Sequence, residues 1–87
     1  FTKDSKRLDL KKIRSLINSK KPQQALSQMK PYVNNNIGSI PFDYLYGMAS
    51  ADAGKPVQAI FALERVLVQY PDFAGARLEL ARAYYYH

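Results

Sequence analysis

KPQQALSQMKPYV, Lys21 to Val33, and KPVQAIFALERVL, Lys55 to Leu67, are two copies of one pattern, with position 55 answering to position 21 and the same offset kept throughout. Each opens on Lys-Pro, carries an alanine at the same place (Ala25, Ala59), follows it with an apolar residue (Leu26, Ile60) and turns apolar again one helical turn on (Met29, Leu63). A third, partial copy extends the register: ARLELARAYYYH, Ala76 to His87, follows FDYLYGMASADA, Phe42 to Ala53, at that same offset. Apolar residues recurring at helical spacing, repeated at a period of about 34 residues, mean stacked helix–turn–helix units. The alanines have a packing reason, because a side chain larger than a methyl would hold two crossing helices apart. Gly47 and Ala81 are the matching small residues on the first helix of their repeats.

Working outward, the chain divides into five expected helices. Segment 4–19 has the stripe Leu10, Ile13, Leu16 and Ile17, with Asp4 or Ser5 able to cap its start. Lys20-Lys21 suits a helix end, and Pro22 suits the first turn of the next helix, where its missing donor is not needed. Helix two is expected to reach about Val33, but Pro31 inside it would cost roughly 3 kcal/mol. A kink or an early end at Lys30 follows, then a loop through Asn34–Asn36 and Gly38. Helix three covers about 42–53 after Pro41, with Gly54 as its left-handed cap. Helix four runs from Pro56 to Tyr70 and is stopped by Pro71; helix five spans about 73–86.

The 87 residues make one small domain, and 47% apolar content with 13% aromatic supplies a core rather than disorder. No apolar run approaches the roughly 18 residues that span a bilayer. The absence of cysteine excludes disulfides and thiolate metal sites. The net charge of +6 is one-ended: residues 1–31 hold nine Lys/Arg against Asp4 and Asp9, whereas the rest is near neutral. Lys6, Arg7, Lys11 and Lys12 form the candidate basic patch, read either as a solvated face or as an attractor for an acidic protein, nucleic acid or membrane surface.

The pattern resembles the tetratricopeptide repeat (TPR) family. Residues 40–73 match its small, turn and stop positions at Gly47, Gly54, Ala59 and Pro71, with Leu63 and Val66 in two further slots. Asp43 departs where tryptophan is common, and Ser50 where tyrosine is. Leu80, Ala81 and Tyr84 fill the corresponding slots of the partial third repeat; the first repeat, with Ile13 and Lys20 in glycine slots, matches least. The resemblance implies an all-α, right-handed TPR-type solenoid of about five helices, with repeats at about 6–39, 40–73 and 74–87. The string AIFALERVLVQYPDFAGARLELARAY, Ala59 to Tyr84, is also similar to TPR segments that precede outer-membrane barrels in Gram-negative envelope proteins, including surface-lipoprotein assembly modifiers. That similarity implies a periplasmic piece of a longer bacterial chain; a cytoplasmic scaffold is the alternative.

In TPR proteins the first helix of each repeat lines a concave groove for peptides or partner helices. Carried onto this sequence, the groove residues are Arg14 and Asn18 from the first repeat, Tyr44, Met48 and Asp52 from the second, and Leu78, Arg82 and Tyr85 from the third. Tyrosine and arginine suit such a place because they join contact area to a directional polar end. Tyr84 is expected in the core, and Glu64 and Glu79 as surface partners of Arg65, Arg77 or Arg82. Only Asn18 fits a carboxylate clamp, which argues against clamp-type chaperone binding. Helix five is apolar around much of its surface (Leu78, Leu80, Ala83, Tyr84, Tyr85, Tyr86). Either the chain continues past it or a second copy covers it, as a homodimer. One histidine, His87, scattered carboxylates and isolated glycines supply no catalytic constellation, no metal or cofactor site and no small-molecule substrate site. The expected function is non-catalytic protein or peptide binding. The alternative is an anionic surface (nucleic acid or membrane) on the basic hairpin, with nucleic acid disfavoured because the basic N-terminal helix has no stacking aromatic beyond Phe1.

Overall fold

The computed structural model describes residues 8–86, which form helices and turns with no strand among them. Five helices have eight residues or more: α1 (Leu10–Asn18), α2 (Pro22–Met29), α3 (Ile40–Asp52), α4 (Pro56–Gln69) and α5 (Ala74–Tyr86). Phe1, Asp4, Ser5, Lys6, Arg7, His87 and the Tyr86 side chain, all named above, lie outside the described residues. Helix α1 starts at Leu10, with Leu8 and Asp9 of the expected segment outside it. Its cap is Asp9, whose extended backbone lets the carboxylate accept from the N–H groups of Lys11 (3.0 Å) and Lys12 (3.3 Å).

The sequence repeat reappears as duplicated turn geometry. After α1, N–H groups of Ser19, Lys20 and Lys21 donate to the carbonyls of Ser15, Ile17 and Leu16; after α3, those of Ala53, Gly54 and Lys55 donate to Ala49, Ala51 and Ser50. Every donor and acceptor in the second set stands one period after its counterpart. These bonds satisfy the last carbonyls of each helix by turning one residue left-handed, Lys20 at φ 63° and Gly54 at φ 78°. Pro22 and Pro56 then open the next helix, as expected from their fixed φ.

Pro31 does end α2, at Met29, but the chain tightens into a 3-10 turn (Lys30–Tyr32) followed by a helical turn at Val33–Asn36. The expected loop through Asn34–Asn36 is therefore helical. Asn36 helps hold it, its side-chain amide donating to the Tyr32 carbonyl one turn back at 2.7 Å. Gly38, at φ 95°, then swings the chain into α3.

Consecutive helices pack on one another, and α3 also packs on α1 and α5. Helices α3 and α4 run antiparallel, since Asp43 meets Arg65 and Gly47 meets Leu63. Helices α3 and α5 run parallel, Tyr44 touching Phe73 near their starts and Asp52 touching Arg82 near their ends. Two apolar clusters result. Ile13, Ile17, Ala25 and Met29 meet Phe42, Leu45 and Ala49 in the first; Ala59, Leu63 and Val66 meet Ala76 and Ala83 in the second. Both repeat alanines, Ala25 and Ala59, are fully buried. A Cβ on Gly47 would lie 2.6 Å from Leu63 Cγ, so this crossing tolerates nothing beyond hydrogen. Ala81, the counterpart of Gly47 in the next repeat, is exposed.

The position where tryptophan is common in the resembled family holds an acid instead, and it is completely buried. Asp43 accepts from the Gly38 N–H (2.9 Å) and, through both oxygens, from Arg65 Nε (3.2 Å) and Nη2 (3.0 Å). Gln69 donates to the Gly38 carbonyl at 3.0 Å, so α4 grips both sides of the loop entering α3. The bidentate geometry and the added N–H supply the compensation a buried carboxylate requires.

Tyr84 is a correction. It is 54% exposed rather than in the core, and its hydroxyl donates to Glu64 Oε2 at 3.1 Å. That hydrogen bond first, then the Glu64 charge and partial desolvation, push the Tyr84 hydroxyl above its ordinary pKa of 10.0. The reason for its exposure is that α4 covers the Ala76 and Ala83 face of α5, leaving Leu78, Tyr84 and Tyr85 outward.

Candidate partner-binding groove

At helical spacing, Leu10, Arg14 and Asn18 share one face of α1, and Tyr44, Met48 and Asp52 share one face of α3. The two helices run side by side in the same direction, and two cavities open along the seam. The first, about 450 Å³, lies at their starts and is lined by Leu10, Lys11, Arg14, Ile40, Pro41, Tyr44, Leu45 and Phe73. The second, about 520 Å³, lies at their ends and is lined by Ile17, Asn18, Lys20, Pro22, Met48, Asp52 and Arg82.

Tyr44 forms a wall of the first cavity and is itself held in place. Its ring sits 4.9 Å from that of Phe73, tilted by 43°. A Cβ on Gly75 would approach the Tyr44 hydroxyl to 2.5 Å, so glycine at that position makes room for the phenol. In the second cavity Arg82 spans α3 and α5, donating to Asp52 Oδ1 at 3.3 Å and to Glu79 Oε1 at 2.8 Å. Glu79 was expected as a surface residue and is nearly buried, at 7% exposure, so its charge-assisted bond to Arg82 replaces lost water.

Of the sequence-predicted groove residues, Arg14 and Tyr44 meet in the first cavity, and Asn18, Met48, Asp52 and Arg82 in the second. Leu78 and Tyr85 line neither; both face outward, at 62% and 83% exposure. Within the basic patch, Lys11 joins the first cavity, whereas Lys12 is exposed and does not line it. Sequence reasoning missed Lys20, Pro22, Ile40, Pro41 and Phe73 as lining residues. They sit at turns and helix starts, where a face-by-face reading of helices does not reach. The repeat offset does give one signal: Pro22 and Lys20 mark the same turn that Pro56 and Gly54 mark.

Chemically, the first cavity offers apolar surface edged by two cations, and the second offers a mixed rim of Lys20, Arg82 and Asp52. Among the described residues no group of three or more His, Cys, Asp or Glu could hold a metal ion, and no helix is long and apolar enough to cross a membrane. No family model, no curated protein and no solved structure matches this chain.

Proposed function

We propose that this chain is a protein-binding module of the tetratricopeptide type, taking a peptide or partner helix in the hollow along α1 and α3 and onto Arg82 of α5. One observation carries the reading: six residues chosen from the sequence fall into two neighbouring cavities on one seam. The duplicated turn and the parallel run of α3 and α5 also support a right-handed solenoid of repeated hairpins, in which first helices line one surface. A cavity of a few hundred Å³ with apolar walls and a few placed polar groups, as at the starts of α1 and α3, suits capture of a side chain, and the more polar second cavity offers hydrogen-bond and charge partners beside it.

The test is selection of peptides on the immobilised chain from a random library, followed by mapping of amide shifts in the isotopically labelled protein. Shifts centred on Arg14, Tyr44, Met48 and Arg82 are expected, with binding weakened in Met48→Ala. Selected peptides that shift only the Val57, Phe61 and Val68 side of α4, or no selected peptide at all, would sink the proposal.

A further inference from the structure

The cavity at the starts of α1 and α3 is chemically lopsided. Leu10, Ile40, Pro41, Leu45, Tyr44 and Phe73 give it apolar walls, and its charged groups, Lys11 and Arg14, both come from α1. Among the described residues no carboxylate lines it. Neither cation forms an ion pair within the described residues, whereas Arg65 and Arg82, farther along the chain, are both paired with acids. The unpaired cations also belong to the end of the chain that carries the net positive charge.

Resting on the groove reading above, we infer that this cavity selects a peptide in which a large apolar side chain is flanked by aspartate or glutamate. The apolar side chain fills the hollow, and the acids lie against Lys11 and Arg14. Three ligand chemistries compete, and the cavity separates them. A neutral apolar peptide would crowd two cations without compensating them, which costs free energy when charges lose water. A phosphate backbone would meet the cations but leave the hollow unfilled. A basic peptide would meet like charge, and like-charge juxtaposition suppresses wrong partners. Only the acidic-apolar combination satisfies both walls. Because the wall formed by Ile40, Pro41 and Phe73 carries no charge, the acids are needed on one side of the anchor only.

The experiment uses short synthetic peptides with phenylalanine or serine at the centre and glutamate, glutamine or lysine as flanks. Their binding is read by fluorescence anisotropy against the full chain and against the Lys11→Glu/Arg14→Glu variant. Both substituted positions are exposed, and circular dichroism checks the helices. Expected is preference for the glutamate-flanked, phenylalanine-centred peptide by roughly tenfold over the glutamine-flanked one, fading with salt and turning toward the lysine-flanked one in the variant. If the variant does not fold, loss of the glutamate preference on adding salt decides instead.

Glutamine- or lysine-flanked peptides bound equally well, with shifts still at Tyr44, would overturn the inference and leave the groove reading standing. Serine-centred acidic peptides or poly-uridine RNA bound as tightly would overturn it too, showing that charge alone acts. If none of these peptides binds while library-selected peptides still occupy the seam, this inference alone falls. If neither binds, both readings fall.

Discussion

Arg65→Met is the change whose effect follows most directly from the geometry. It removes two of the three donors to Asp43 and leaves a completely buried carboxylate with the Gly38 N–H. Stripping one partner from a buried pair costs about 3–5 kcal/mol, because the remaining charge keeps its desolvation penalty. The Arg65 side chain is 32% exposed, so water can reach the gap it leaves, which brings the expected loss to about 2–3 kcal/mol. A domain of this size has a total stability of about 4–13 kcal/mol, so the loss is a large share of it and lowers the melting temperature by about 10–20 °C. Urea unfolding followed by far-ultraviolet circular dichroism measures it, with an unchanged slope confirming that the native state has kept its extent. The double variant Asp43→Leu/Arg65→Met should recover most of the loss, since an apolar replacement of both partners has no charge left to strand. A loss below about 0.5 kcal/mol in Arg65→Met, or a double variant no more stable than the single, would refute the account of Asp43 as a compensated buried charge.

Gly47→Ala should destabilise by about 1–3 kcal/mol despite the helix preference for alanine, because the fully buried Leu63 cannot withdraw its branch carbon; in a Leu63→Ala background the sign should reverse in the same urea titration. Lys20→Gly should stabilise by about 0.5–1 kcal/mol by relieving a left-handed lysine, and Gly54→Ala at the equivalent turn should cost about 1 kcal/mol, both read as midpoint shifts. The raised Tyr84 hydroxyl favours the folded state while it stays protonated. Its contribution is therefore whole below the ordinary value of 10.0 and is lost as pH rises through the higher folded value. Melting temperatures at about pH 8 and about pH 11 should fall less in Tyr84→Phe than in the parent chain.

What could be read in the sequence was local chemistry repeated at a fixed offset. Pro22, Pro56 and Gly54 act within a few residues of their own turns, and Ala25 and Ala59 each sit in a stripe that defines its own buried side. Asp43 could be seen as a departure, but its partner Arg65 lies 22 residues away, and no local pattern couples the two. Asn34–Asn36 have little helix preference of their own; the turn they form depends on Pro31 before it and Gly38 after it. Tyr84 was misplaced because burial on α5 is decided by which neighbouring helix covers it, which periodicity within one helix does not encode. The groove followed the same rule. The α1 and α3 columns fall on the two cavities, Leu78 and Tyr85 of the α5 column do not, and Lys11 and Phe73 entered only through the relative placement of α1, α3 and α5.

Helix α3 belongs to both apolar clusters, and that double membership bears on how the chain comes apart. Peeling away α1 and α2 would bare Phe42, Leu45 and Ala49, while peeling away α4 and α5 would strand Asp43 and uncover the Gly47 side. Neither hairpin can leave cheaply, so the backbone amides in the middle of α3 should exchange with solvent deuterium only when the whole chain opens. Those near the ends of the molecule should exchange through smaller, local fluctuations.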